Sequence, residues 1–161
     1  MILNTSRYDC IIHHKLLNTD ELKGPVVDLK QIGFFHTNVE DHVPYYAFQI
    51  IAGGKVIGKI ALRIGFSELI LIHGHVGYEI EKEYQGHQYG YHALEMIKTL
   101  AKDHGYQAII VTSAADNERS KKTVMRAQGQ ILIPDYIVPK DHIYALMGIS
   151  KLNVYEISLT E

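Results

Sequence analysis

The chain has a single cysteine, no tryptophan and almost no charge excess, with a formal net charge of −2. Each shortage excludes something. One thiol, Cys10, cannot build an internal disulfide framework, and such a chain fits a reducing compartment. Lys and Arg (16) are balanced by Asp and Glu (18), so nothing recommends a nucleic-acid surface. No apolar run approaches the ~20 residues of a membrane span. Residues 1–9 are polar and lack the core of a signal peptide. The expectation is a soluble, cytoplasmic protein with neither nucleic acid nor membrane as partner. The eleven tyrosines suit core and pocket lining better than a base-stacking platform.

What is present fits one domain over residues 1–161. With 47% apolar and 21% charged residues, the chain can bury a real core but not two ordinary ones. Residues 26–35 are β-branched and aromatic enough for a strand. Residues 36–43 read as a polar loop. Gly53-Gly54 between the apolar runs 45–51 and 55–64 is a two-residue hairpin signal. Residues 69–72 could continue the sheet, and a short strand is possible at 10–14. Residues 75–82 alternate as a strand, where Gly77 suggests a bulge.

The second half changes period. Ala93, Ile97, Leu100 and Ala101 recur at helical spacing over 89–104, closed by Lys102, His104 and Gly105. A buried strand is expected over 107–112, and a helix over 118–127 capped by Asp116 or Asn117. Two last strands are expected over 130–137 and 154–159. Between them residues 139–151 form a long polar excursion suited to a substrate-side loop. Strands first and βαβα later predict an α+β protein, a mixed sheet with helices on its faces.

The most informative stretch is Tyr84-Gln85-Gly86-His87-Gln88-Tyr89-Gly90-Tyr91-His92-Ala93, a glycine-containing turn from strand into helix. Such a turn gathers backbone N–H groups that lack helical partners at the positive end of the helix dipole, a ready anion site. No Lys-Ser or Lys-Thr follows Gly90, which disfavours a nucleotide P-loop. Gly86 and Gly90 are four apart after an antiparallel sheet, which disfavours a dinucleotide fingerprint.

Three features resemble the GNAT superfamily of acetyl-CoA-dependent N-acyltransferases, and a poorly characterised bacterial branch of it. Gln85-Gly86-His87-Gln88-Tyr89-Gly90 matches the superfamily loop at its first and last positions, with Gln88 where glycine is usual. Asn117-Glu118-Arg119-Ser120 matches the Asn-x-x-Ser that opens the following helix. Gly129 stands at the glycine turn that ends that helix.

The resemblance implies a mostly antiparallel mixed sheet of six to seven strands flanked by helices, with a splayed strand pair at the cofactor site. It implies acetyl-CoA as cosubstrate, with its pyrophosphate on Gln85, Gly86, His87, Gln88, Tyr89 and Gly90. Its pantetheine arm would lie beside Tyr78 and Ile80, and near Asn117 and Ser120. Asn117 is otherwise a helix cap, and Ser120 otherwise a helix-start residue. An added Cβ at Gln88 predicts a negative φ there. Arg119, Lys121, Lys122 and Arg126 form either a solvated basic face or a site near the 3′-phosphate.

Catalysis is less determined. Many members place a Tyr acid seven residues after the motif Asn, where this chain has Val124. Tyr136, Tyr144 and Tyr91 are substitutes that no spacing ranks, and Tyr136 is the candidate acid. A coenzyme A thiolate also leaves tolerably without one. Glu79 is the candidate base, with a surface carboxylate as the plain alternative. A metal is not expected: His73 and His75 share a strand side, but no third ligand is evident. The acceptor is a small-molecule or peptide amine, and a homodimer is possible. The rivals are a non-catalytic acyl-CoA-binding sensor, favoured by Val124, and an α+β module unrelated to coenzyme A.

Overall fold

The computed structural model describes residues 4–37 and 42–160. Four residues of the loop expected over 36–43 therefore lie outside the described part. Eight strands form one sheet: β1 (Glu21–Leu22), β2 (Asp28–Phe35), β3 (Tyr45–Ala52), β4 (Lys55–Arg63), β5 (Val76–Ile80), β6 (Ala108–Ala114), β7 (Gly129–Ile137) and β8 (Lys151–Ser158). Their order is β1-β2-β3-β4-β5-β6-β8-β7. Helix α1 (Ile70–His73) precedes β5, α2 (Tyr89–Asp103) joins β5 to β6, α3 (Glu118–Arg126) joins β6 to β7, and α4 (Ile143–Leu146) lies before β8. Among the described residues only β5–β6 is a parallel pair. The strand beyond the expected six to seven is the two-residue β1, paired with β2 through Glu21–Lys30.

Period-two alternation puts one core on each face of the sheet. On the α2 face, Leu29, Phe48, Ile60, Val111 and Ile157 pack with Ala93, Ile97 and Leu100. On the other face, Ile70 of α1 packs with Ala108, Ile110 and Val154. The hairpin at Gly53 and Gly54 has φ of +56° and +77°, both in the region that a type I′ turn requires. Gly58 has a different role: a Cβ there would stand 2.2 Å from the carbonyl oxygen of Glu79, so β4 approaches β5 only with glycine in that place.

Three expectations are corrected. Residues 69–72 contribute to helix α1 rather than a strand, so His73 is helical and shares no strand side with His75. An apolar run of four residues is too short for its period to separate the two states. Residues 10–14 form no strand but an irregular segment tied to His104, whose carbonyl accepts from Ile11 and Ile12 N–H at 2.9 and 3.0 Å. No bulge occurs at Gly77, since β4–β5 pairing runs unbroken from Gly58–Ile80 to Leu62–Val76.

Two buried histidines fasten the fold. Ile110 N–H donates to His75 Nδ1 at 2.9 Å, which leaves the proton on Nε2 to donate to Gly65 O at 3.1 Å. Burial pushes the His75 pKa down to about 4. His104 closes α2 as its C-cap, as its place before Gly105 predicts, and burial lowers its pKa. Its ring accepts from Tyr46 Oη on Nε2 at 2.8 Å and donates from Nδ1 to Ile12 O at 2.7 Å.

Candidate active site: a cleft where the sheet splits

β5 and β6 touch at a single bridge, Val76–Val111. Gly74 fixes this vertex: with φ +72°, it lies where a Cβ would be 3.1 Å from Ile110 O. Beyond the vertex the strands diverge, which produces the expected splay without a bulge.

The peptide groups that face the gap follow from the β4–β5 ladder. Arg63 N–H donates to His75 O at 2.7 Å, and Glu81 N–H donates to Ile57 O at 2.9 Å. Antiparallel pairing therefore directs the peptide groups of the odd-numbered residues toward β4. Those of Tyr78 and Ile80 point into the gap. Gln85 Nε2 donates to Ile80 O at 3.0 Å, so that side chain fastens the loop to the strand.

The cleft holds about 490 Å³. Its β5 wall is Tyr78, Glu79 and Ile80. Its loop wall is Tyr84, Gln85, Gly86, Gln88, Tyr89 and Gly90, and its α3 wall includes Asn117, Arg119, Ser120, Lys122, Thr123 and Arg126. Of the residues expected to hold the cofactor, only His87 does not line it. Its ring lies against Tyr89, with centroids 5.5 Å apart. Tyr136 is outside the cleft as well. It sits on the edge strand β7 opposite Leu152 and packs with Ile72 and Val138. Tyr91 and Tyr144 do not line the cleft either.

The mouth of the cleft is the turn into α2. The N–H groups of Gly86 through Tyr91 donate to no backbone carbonyl recorded among the described residues. Such a set can take an anion at a helix N-terminus. The expectation of negative φ at Gln88 is overturned: its φ is +63°. The loop keeps the left-handed conformation that glycine would adopt, and a contact across the cleft holds it there. Arg126 Nη1 donates to Gln88 Oε1. Gly90 serves packing: a Cβ would meet the Tyr78 ring at 3.0 Å, so its absence seats α2 on β5.

On the far wall Asn117 is the N-cap of α3, its Oδ1 accepting from Ser120 N–H at 3.1 Å. Three of the four basic residues of α3, Arg119, Lys122 and Arg126, face the cleft, and Lys121 does not. Val124 is fully buried beneath β7, where a Cβ on Gly129 would fall 2.4 Å from Val124 Cγ1. That explains the glycine turn physically and leaves no room for a larger residue at 124.

Sequence reasoning assigned Tyr78 through its backbone and missed its side chain. The Tyr78 hydroxyl is buried, with Ser120 and Thr123 of α3 beside it. Burial raises its pKa, opposed by the nearby hydroxyls of Ser120 and Thr123. Alternation alone would have placed this phenol on the α3 side of the sheet. Glu79 is exposed and points to the α1 face. Among the described residues, Asp9, Cys10 and His13 bring three donor atoms within 4.8 Å of one another, away from the cleft. These atoms already serve local bonds, His13 Nε2 to Asp9 Oδ1 at 2.9 Å and Cys10 Sγ to Ile12 O at 3.3 Å.

A mixed sheet split at one parallel pair, with an anion-ready turn at the mouth of the split, is the GNAT-like fold that the motifs implied. The family model described as "Acetyltransferase (GNAT) family" matches residues 15–129, well over half of the chain. The chain belongs to this family. No curated protein sequence matches it.

Solved structures agree on the fold. A putative ribosomal-protein-serine acetyltransferase from Vibrio cholerae superposes with TM-score 0.61 at 15% identity, covering 89% of this chain and 99% of that one. A putative acetyltransferase from Sphaerobacter thermophilus gives TM-score 0.55 at 16% identity, covering 88% and 99%. The microcin C7 self-immunity acetyltransferase MccE, solved with acetyl-CoA and AMP, gives TM-score 0.55 at 20% identity over 71% of this chain. The match spans 61% of the MccE chain. No helix among the described residues is long and apolar enough to cross a membrane.

Proposed function

We propose that this protein is an acetyl-CoA-dependent N-acetyltransferase that brings donor and amine acceptor together in one ternary complex. The observation that carries the reading is the alignment of the unpaired loop N–H groups with the outward peptide groups of Tyr78 and Ile80 along one cleft. Coenzyme A carries a pyrophosphate at one end and an amide-bearing arm leading to the thioester. These residues offer matching partners in that order. Arg119 and Lys122 add positive charge on the α3 wall.

The donor supplies an acetyl group activated as a thioester. Within the cleft, the Tyr78 N–H can donate to the carbonyl oxygen as it gains charge. Glu79 lies on the same strand with its side chain on the opposite face, where an acceptor amine can lose its proton directly or through water. The acceptor therefore approaches from the α1 face. The excursion over residues 139–150 lies on that side, its His142 Nε2 standing 3.3 Å from His73 Nε2 of α1. No covalent intermediate on the protein is needed, and orientation supplies much of the rate. The acceptor is a small-molecule or peptide amine.

A second reading, an acyl-CoA-binding sensor without turnover, rests on one observation: buried Val124 occupies the position of the usual acid. Incubation with acetyl-CoA and a panel of amines, while free thiol is followed, separates the two. Thiol release with at least one amine is expected. A rise in melting temperature on adding acetyl-CoA, without thiol release from any amine, would favour the sensor.

A further inference from the structure

Away from the cleft, the irregular segment that His104 ties down carries three metal-ligand side chains within five residues, Asp9, Cys10 and His13. A carboxylate oxygen, a sulfur and a ring nitrogen there lie within 4.8 Å of one another. Contacts from outside the segment build this convergence. The His104 carbonyl holds the N–H groups of Ile11 and Ile12, and the His13 ring lies over Gly65, where a Cβ would stand 3.6 Å from its Cδ2. Asp9 and His13 are half-exposed and Cys10 is buried, so an ion can reach the sulfur from the solvent side. A tetrahedral ion with bonds of about 2.0–2.3 Å sets its donor atoms about 3.5 Å apart. Closing to that spacing asks for about 1 Å of movement, most of it from the two half-exposed side chains.

The local electrostatics ask for a cation. Burial pushes the Cys10 thiol up to about 11; the Tyr106 hydroxyl pulls against that rise and the Asp9 charge adds to it. A cation between Asp9 and the sulfur reverses the effect of both burial and that charge. The bond from His13 Nε2 to Asp9 Oδ1 does not stand in the way, since a neutral imidazole can carry its proton on Nδ1 and turn the Nε2 lone pair to an ion. One sulfur, one imidazole nitrogen and one carboxylate suit zinc and its first-row neighbours, whereas magnesium and calcium take oxygen ligands. We propose that Asp9, Cys10 and His13 form a binding site for a zinc-like divalent ion, with water as the fourth ligand. The thiol proton leaves to solvent and the sulfur lone pair bonds the metal. The ion then staples the N-terminal segment to the C-terminal end of α2.

Cobalt alone is the probe. Cys10 is the only cysteine, so a thiolate-to-cobalt charge-transfer band can arise nowhere else, whatever the ten histidines bind. Reduced, chelator-washed protein titrated with Co²⁺ is expected to develop that band up to one equivalent, and Zn²⁺ should displace it. Zn²⁺ should also raise the melting temperature of the wild type, and not of Cys10→Ser. His13→Ala and Asp9→Asn change half-exposed side chains and leave the core intact. Each should weaken cobalt binding by roughly tenfold or more. A wild type that gives no band overturns the site, and this outcome needs no variant to fold. So does a band that saturates at half an equivalent, as an ion shared between two chains would give. An unchanged cobalt affinity in either His13→Ala or Asp9→Asn overturns the three-ligand assignment.

Discussion

Arg126 reaches back from the last turn of α3 to hold Gln88, the residue that stands where the family loop usually has glycine. Its guanidinium carbon also lies 3.8 Å from the centroid of the Tyr91 ring. One side chain therefore spans the cleft and touches the loop and the first turn of α2. The left-handed conformation of Gln88 costs about 1–2 kcal/mol, and the bond from Arg126 offsets part of that. Gln88→Gly loses the bond and the strain together, so its stability should stay within about 1 kcal/mol of the wild type. Gln88→Ala keeps the strain without the bond and should lose about 1 kcal/mol or more. Urea midpoints compare the two. A Gln88→Ala protein with the wild-type midpoint would mean that Arg126 does not hold the loop, and equal losses in the two variants would mean that Gln88 carries no left-handed strain.

His75 gives a pH dependence of known sign. Its pKa falls to about 4 in the folded protein from about 6.5 in an unfolded chain. Below pH 6.5 the unfolded state binds a proton that the folded state refuses, so stability is full above 6.5 and declines as pH falls toward 4. The slope is about 1.4 kcal/mol per pH unit, or about 3 kcal/mol over the window. Burial lowers the pKa of His104 in the same direction, which adds to the decline. Unfolding free energies at pH 7, 6, 5 and 4 measure it. His75→Gln, though less stable overall, should lose about one proton of slope. An unchanged slope would place the dependence elsewhere.

Asn117 caps α3 in the structure whatever else it binds. Replacing a capping Asn by Ala costs about 0.5–2 kcal/mol. Asn117→Ala should show that loss in urea without ligand. Asn117→Asp keeps the cap and should recover most of it. If the affinity for acetyl-CoA falls in both variants alike, the amide has a role beyond the cap. If it falls only in the alanine variant, the cap accounts for everything.

The parts of this fold that the sequence made legible are those with a strong local period. The Gly53-Gly54 hairpin, the helix after the glycine loop, its Gly105 stop and the Asn117 cap all follow from short-range chemistry. What stayed hidden depends on partners far along the chain. Gln88 adopts positive φ because Arg126, thirty-eight residues later, holds it. The split between β5 and β6 comes from one remaining bridge rather than a bulge, and no residue of β5 announces where β6 will leave it. His104 is legible as a helix-end residue, but the partners of its two ring nitrogens, Tyr46 and the Ile12 carbonyl, lie far from it along the chain. The site divided in the same way. The backbone residues came from the motif, while the burial of the Tyr78 hydroxyl against Ser120 and Thr123 depends on a helix far along the chain.

The position of the missing acid gives the last prediction. Restoring a tyrosine at 124 looks like the simplest way to raise turnover if the protein lacks an acid. The packing argues against it. Val124 is fully buried, and β7 passes so close that even a methyl group on Gly129 would stand 2.9 Å from the Val124 carbonyl oxygen. Overpacking of this kind typically costs 1–3 kcal/mol, occasionally more, and a phenol in place of an isopropyl group belongs at the upper end. Val124→Tyr should therefore lower the urea midpoint substantially and fail to raise kcat with any amine that the wild type accepts. Gly129→Ala, which presses the same contact from the other side, should destabilise by a similar mechanism while leaving every cleft residue unchanged. A Val124→Tyr protein of wild-type stability and higher kcat would mean that the helix can move off β7. The tyrosine would then serve as the acid from α3, at the position that the resemblance marks for it, and the protein would lack only that one group.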